Sequence, residues 1–266
     1  QAALALWQQA LMAGCKTQIA HWLRLTVEET GQLLAFWAAL HDLGKASPAF
    51  QRKYAPSIQG LEAVGFIFPK PITTTPCYHA TITTRTLPMP LQQITGVGDS
   101  VADAVARALG GHHGVWPTAK DVKDGVKADQ VGDGLWDEVR YELVKILYDV
   151  YAPPPLTTVP ADKIEANSLL TFFSGFTSVA DWIGSMEEYF PYEEAPLTII
   201  NYVATARQRA EQALSDLHWC DWQPPTTAKS FEQLFNRTPR AVQQKVIELA
   251  EQLNQPALVI IEAPTG

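Results

Sequence analysis

An apolar helix that runs into His41-Asp42-Leu43-Gly44-Lys45 constrains this chain more than any other feature. Thr26-Val27-Glu28-Glu29 has the spacing of a capping box, with Thr26 as N-cap and Glu29 as its return partner. The helix opened there carries Leu33, Leu34, Phe36, Trp37 and Leu40. It is apolar on most faces, so it belongs in the centre of a core. Such a helix is a rigid support that delivers His41 and Asp42 at its C-terminal end, where Gly44 is expected to stop it. An imidazole and a carboxylate on one backbone segment suit a divalent metal employed in hydrolysis. Whether they form a metal site depends on what else the chain brings to them.

The remainder of the first two-thirds also reads as helical. Ser47-Pro48 caps and starts a helix, since Pro suits the first helical position. A Pro- and Thr-rich segment containing His79 follows over 69–90. Val101 to Leu109 is helical and ends in Gly110-Gly111-His112-His113-Gly114. Residues 115–133 read as a polar loop, and Leu135 to Tyr151 as a helix that Pro153-Pro154-Pro155 terminates. Residues 167–186 form a long apolar helix with Asp181 inside it, and Ile199 to Leu217 is amphipathic. The composition then changes. Trp222-Gln223-Pro224-Pro225 reads as linker, Pro239 to Leu253 as helix, and Ala257 to Ile261 as a buried strand running into Glu262-Ala263-Pro264-Thr265-Gly266. The expected organisation is a domain over 1–220, a linker over 221–238, and the start of a second domain over 239–266.

Bulk properties narrow the function. A chain of 266 residues, 47% hydrophobic, can bury a full core. No apolar run approaches the roughly 20 residues of a membrane span, and there is no secretory pattern in the chain as given. Cys15, Cys77 and Cys220 are scattered, which argues for a reducing, cytoplasmic setting and against a thiolate zinc site. A formal charge of −8 disfavours nucleic acid as a partner, but bound metal cations would add local positive charge.

Four histidines, His41, His79, His112 and His113, sit at helix ends, turns or glycine punctuation, and Asp42 and Asp181 sit in apolar helical surroundings. A buried ionised Asp is costly unless paired or metal-bound. Mixed His and carboxylate donors suit manganese, iron, cobalt, nickel or zinc better than calcium. The donors suffice for two ions, and two ions about 3.5–4 Å apart can clamp a phosphodiester without a protein nucleophile. Asp42 is the natural bridge, because a carboxylate offers two oxygens and an imidazole one free lone pair. Lys45 can offset charge on a phosphate. His21, after a polar turn, and His218, at a helix end, read as ordinary.

His41-Asp42-x-Gly44-Lys45, His79, Gly111-His112-His113-Gly114 and Ala180-Asp181-Trp182-Ile183-Gly184-Ser185 together resemble the HD nuclease domain of the CRISPR-associated nuclease–helicase of type I systems. Thr238-Pro239-Arg240-Ala241-Val242-Gln243 resembles that family's helicase Q motif, and Glu262-Ala263-Pro264-Thr265-Gly266 the first half of its Walker A loop. The resemblance implies a mainly α fold: an HD-domain helical bundle followed by the first helix and strand of a RecA-like helicase domain. It implies two transition-metal ions, one held by His41, Asp42 and Asp181, the other by Asp42, His79, His112 and His113. It implies cleavage of single-stranded DNA after recruitment to a Cascade-type surveillance complex, with ATP-driven translocation feeding the strand. Gln243, Thr265 and Gly266 would serve nucleotide binding only in the complete helicase. Walker A also needs Gly-Lys-Ser/Thr, absent from this sequence, so ATP and Mg²⁺ would be used only by the complete enzyme and no ATPase activity is expected here. The family pattern also has a metal-binding histidine on its first helix; that helix begins here with Ala2 to Leu11, so its position would precede Gln1.

Three functions share these ligands. The favoured one is a metal-dependent single-strand nuclease, with Asp42 and Lys45 as catalytic residues. The second is an HD phosphohydrolase acting on small nucleotides, against which the helicase-like tail argues by implying a polymer substrate. The third is a non-catalytic docking module with a degraded HD site.

Overall fold

The computed structural model describes all residues except 71, 72, 74, 75, 157, 158, 193–197, 221–226, 228, 255, 256, 258 and 263–266. It divides into two compact units, Gln1–Trp222 and Gln223–Gly266.

In the first unit, α1 (Ala2–Gln8) and α2 (Ala13–Leu23) precede α3 (Val27–Ala39). The capping box of α3 forms as its sequence dictates: the Glu29 amide donates to Thr26 Oγ1 at 3.2 Å, and the Thr26 amide donates to the Glu29 carboxylate at 2.8 Å. Leu33, Leu34, Phe36, Trp37 and Leu40 are each no more than 3% exposed, so α3 is enclosed on several sides. Burying each such side chain is worth about 1.5–3 kcal/mol. Trp7 from α1 meets Phe176 edge-on, and Trp37 meets Phe173 in the same way.

α3 stops at Ala39, a turn earlier than the sequence suggested. His41 and Asp42 lie in the turn that follows, and Gly44 sits inside a short 3-10 turn, Leu43–Lys45, rather than ending the helix. Ser47 caps α4 (Pro48–Gln51) through its hydroxyl, and α5 spans Ala55–Ala63. The Pro- and Thr-rich stretch holds α6 (His79–Thr86) and α7 (Pro88–Thr95). Its threonines tolerate helix because their hydroxyls bond carbonyls one turn back, Thr84 to Ala80 at 3.0 Å and Thr86 to Ile82 at 2.9 Å. α8 spans Asp99–Gly110.

Residues 115–133 are not all loop. They contain α9 (Ala119–Asp124) and α10 (Ala128–Val131), the first opened by a Thr118–Asp121 capping box. Then come α11 (Leu135–Tyr151), α12 (Lys163–Gly184) and α13 (Ile199–Asp216). The main core cluster draws on α1, α3, α7, α8, α12 and α13, and Ile82, Val126 and Val131 form a second, smaller one. Among the described residues, no helix is long and apolar enough to cross a membrane.

In the second unit, α14 (Phe231–Phe235) lies within the stretch read as linker, opened by a Ser230–Gln233 capping box. α15 (Ala241–Gln252) matches the expected helix, and Gln243 Oε1 accepts from the Arg240 amide at 2.8 Å as part of its N-terminal cap. The expected strand does not form at 257 or 259–261, and position 258 lies outside the described residues. A strand needs a neighbour for its amides and carbonyls. No strand occurs among the described residues, and Ile260 is 79% exposed. Thr265 and Gly266 of the Walker-like segment lie outside the described residues.

One buried cation ties the first unit together near the His-Asp turn. Arg140 on α11 is 1% exposed and donates to the carbonyls of Ala46 (2.8 Å), Val131 (2.9 Å) and Gly132 (3.1 Å), and to Asp137 Oδ1 (2.5 Å). It thereby anchors the residue after Lys45 to α10 and α11. Arg140→Met keeps the aliphatic volume but strands these carbonyls without a donor. It is expected to cost about 3 kcal/mol or more, read as a lowered midpoint of urea unfolding.

Candidate metal centre

Four elements deliver the six sequence-identified donors to one place. The turn after α3 supplies His41 and Asp42, the first residue of α6 supplies His79, the end of α8 supplies His112 and His113, and α12 supplies Asp181. His41 Nε2 lies 3.2 Å from Asp181 Oδ1 and 3.3 Å from Asp42 Oδ2. Asp42 Oδ1 lies 3.1 Å from His79 Nε2, so the two oxygens of Asp42 face two different imidazoles. His79 Nε2 is in turn 3.2 Å from His113 Nε2. Lys45 Nζ is 2.5 Å from Asp42 Oδ2.

Local sequence explains the approach. His41 Nδ1 donates to the Ala38 carbonyl at 2.7 Å, and His112 Nδ1 donates to the Leu109 carbonyl at 2.5 Å. Each bond fixes the tautomer and turns the Nε2 lone pair inward, the arrangement of a metal-binding histidine. Thr83, one turn after His79 on α6, accepts from the Gly44 amide at 2.8 Å and donates to the His41 carbonyl at 2.8 Å. This docks α6 on the His-Asp turn. Gly44 is required there: a Cβ would lie 2.0 Å from the His79 carbonyl oxygen. Gly111 has a similar duty, since its Cβ would lie 2.5 Å from the Trp116 indole. The Ser178 hydroxyl contacts the His112 carbonyl, and Ser185 Oγ donates to Asp181 Oδ1 at 3.1 Å. Thr83 and Ser178 carried no role in the sequence reading. The available signal for Thr83 was its i+4 spacing from His79.

The donor set fits a metal. His112 is 2% exposed, and its Nε2 is a buried polar atom without a hydrogen-bond partner. Such an atom is costly to bury unless something binds it. Ligand atoms of His79, His112 and His113 lie within 4.8 Å of one another, as do those of His41, Asp42 and His112. His112 is common to both groups. His21 and His218 belong to neither.

The charges reflect how closely the donors are packed. Burial disfavours a charged His41, but Asp181 and Asp42 outweigh it and raise the pKa to about 9. Burial likewise opposes ionisation of Asp42, yet its bonds to His41, His79 and Lys45 hold it well below the usual carboxylate range. The hydrogen bond from His41 lowers Asp181. Burial pushes His112 down to about 4, and burial with the nearby His79 lowers His113. His112 and His113 are therefore held neutral, as ligands must be.

A unit whose described elements are all helices, with a His-Asp turn facing further histidines and a helical aspartate, defines an HD-type protein with a histidine–carboxylate donor set suited to a metal. Residues 1–190 match the family described as Cas3, HD domain, and the chain belongs to that family. It is 30% identical over 240 residues to the CRISPR-associated endonuclease/helicase Cas3 of Thermus thermophilus, covering 86% of this chain and 25% of that protein. The chain thus spans about a quarter of that relative. Among solved structures, a CRISPR-associated protein superposes with a TM-score of 0.73 at 34% identity, covering 96% of this chain and 28% of the other. The Thermus thermophilus Cas3 HD domain in the presence of Ni²⁺ superposes with a TM-score of 0.59 at 25% identity, covering 84% of both chains.

Two outcomes follow from this geometry. Gly44→Ala is expected to push α6 and His79 off the turn and weaken Mn²⁺ affinity at least about tenfold, measured by calorimetric titration. The second concerns pH. Because the folded pKa of His41 lies above its ordinary 6.5, its pairing stabilises the metal-free protein fully below about pH 6.5 and is lost as pH rises through about 9. The metal-free protein should lose up to about 3 kcal/mol across that window in denaturant titrations, and saturating Mn²⁺ should flatten the loss. Metal uptake at pH 7 should release about one proton, read from heats in buffers of different ionisation enthalpy.

Proposed function

We propose that this chain is a metal-dependent nuclease domain that cleaves single-stranded DNA in type I CRISPR interference. In the full-length protein a helicase that consumes ATP with Mg²⁺ feeds it the strand, and a Cascade-type surveillance complex recruits it. The observation that carries the reading is the shared geometry of Asp42 and His112. Asp42 presents one oxygen to His41 and the other to His79, and the orphaned His112 Nε2 belongs to both groups of donors. That is an arrangement for two neighbouring divalent ions of the manganese-to-zinc series. His41, Asp42 and Asp181 would hold one, and Asp42, His79, His112 and His113 the other.

When bound, the ions supply Lewis-acid stabilisation of charge on the phosphoryl oxygens. The protein's own groups do the rest. The carbonyls of Ala38 and Leu109 keep His41 and His112 in the tautomer that points Nε2 at the site. Thr83 holds the turn against α6 so that Asp42 and His79 keep their separation. Lys45 places an ammonium beside Asp42, where it counters negative charge gathering on the phosphate. Water attacks phosphorus in line with the departing oxygen, and no covalent enzyme intermediate forms.

Asp42→Ala is the direct test. It removes the side chain proposed to serve both ions, so cleavage of a single-stranded oligonucleotide in Mn²⁺ or Co²⁺ should fall at least about 100-fold while helical circular dichroism is retained. Full-rate cleavage by that variant would falsify the assignment.

A further inference from the structure

We infer that Lys53, lying over the ring of Phe50, holds a backbone phosphate next to the one at the metal centre, and so sets the path by which a strand reaches it. The inference rests on the nuclease reading above. Phe50 on α4 borders the centre, with its ring 5.9 Å from that of His79 and edge-on to it. Two ammonium groups share the Phe50 ring: Lys45 Nζ is 5.5 Å from the centroid and Lys53 Nζ is 4.6 Å from it. The two cations are thus separated by no more than the sum of those distances, within reach of neighbouring phosphates on one strand. Lys45 is paired with Asp42. Lys53 is exposed and, among the described residues, forms no salt bridge.

The distribution of charge selects this side of the centre. Helices α4, α6 and α9 carry three Lys and Arg against two Asp and Glu, whereas α11, α12 and α13 carry five against eight. A polyanion therefore meets less repulsion over α4, α6 and α9 than over α11 to α13. A cavity of about 580 Å³ does open on His41, Asp42 and Asp181 from the α11–α13 side, but its wall includes Ala38, Leu143 and Leu147. An apolar wall in an acid-rich setting does not suit a phosphate backbone. On the α4 side, Tyr54 follows Lys53 and is 66% exposed, and Tyr78 precedes His79 and is 73% exposed. Cations alternating with exposed aromatic rings are what a single strand needs, one for phosphates and the other for bases.

The test compares two substrates in Mn²⁺. One is a single-stranded oligothymidylate and the other is bis(p-nitrophenyl) phosphate, which has only the phosphate that reacts. Lys53→Gln should raise the oligonucleotide KM about fivefold at moderate salt with kcat changed less than twofold, and should make its salt dependence shallower by about 0.7 in log–log slope. The KM for the one-phosphate diester should not follow, and Lys53→Arg should restore the oligonucleotide KM. An unaltered oligonucleotide KM and slope, or an equal rise on both substrates, would overturn the assignment. Strand binding by fluorescence anisotropy separates this from the nuclease reading. A wild-type protein that binds the strand but cuts neither substrate would sink the nuclease reading, while weaker, less salt-sensitive binding by Lys53→Gln would still support Lys53 as a phosphate contact.

Discussion

The geometry of the centre hangs on one hydroxyl, that of Thr83, and the glycine beneath it. Thr83 joins the Gly44 amide to the His41 carbonyl, and Gly44 leaves room for the His79 carbonyl oxygen to come within 2.0 Å of where a Cβ would sit. Two segments far apart in sequence thus become one rigid surface. Asp42 can face two imidazoles only because this contact sets the spacing between the turn and α6. Arg140 secures the same surface from below by gripping Ala46. The donors are held by buried polar bonds to their backbone, which hold position better than a loop would.

The donors themselves were legible because their chemistry is local. A His-Asp pair after a capped apolar helix, a His-His pair between glycines, and one acid inside an apolar helix each stand out by residue type. What brings them together was not legible. Thr83 reads as one threonine in a Thr-rich stretch, and its role exists only once α6 lies on the turn. Arg140 has no distinguishing mark in the 135–151 helix sequence, yet it is buried because the carbonyls of Ala46, Val131 and Gly132 converge on it. Helices α9 and α10 were missed although Thr118 and Asp121 spell a capping box, because short helices in a polar, Gly-broken stretch lack apolar periodicity. In the second unit, the apolar pattern at 257–261 reads as a strand, but a strand is a property of a pair, and periodicity cannot supply the partner.

The electrostatics make the centre a place where like and unlike charges are packed together at a cost. Two carboxylates and four imidazoles crowd one another, and the resulting shifts run in opposite directions, with His41 pushed up and His112 pushed down. A cation entering such a site displaces a proton from one histidine and meets another already stripped of its own. The surroundings are divided as well, with acids in excess on α11 to α13 and two lysines over Phe50.

The two inward-facing histidines obey the same local rule. Each follows a helix and gives its Nδ1 proton to the carbonyl three residues back, Ala38 for His41 and Leu109 for His112. Those carbonyls belong to helix C-termini, where each also accepts the same histidine's backbone amide at 3.2 Å. The imidazole takes the carbonyl's second lone pair with one nitrogen and faces the site with the other. A carboxylate, though an able metal ligand, would bring a second acceptor against the carbonyl at the negative end of the helix dipole. The two helix ends thereby favour a donor over an acceptor at these positions, independently of any selection for the metal.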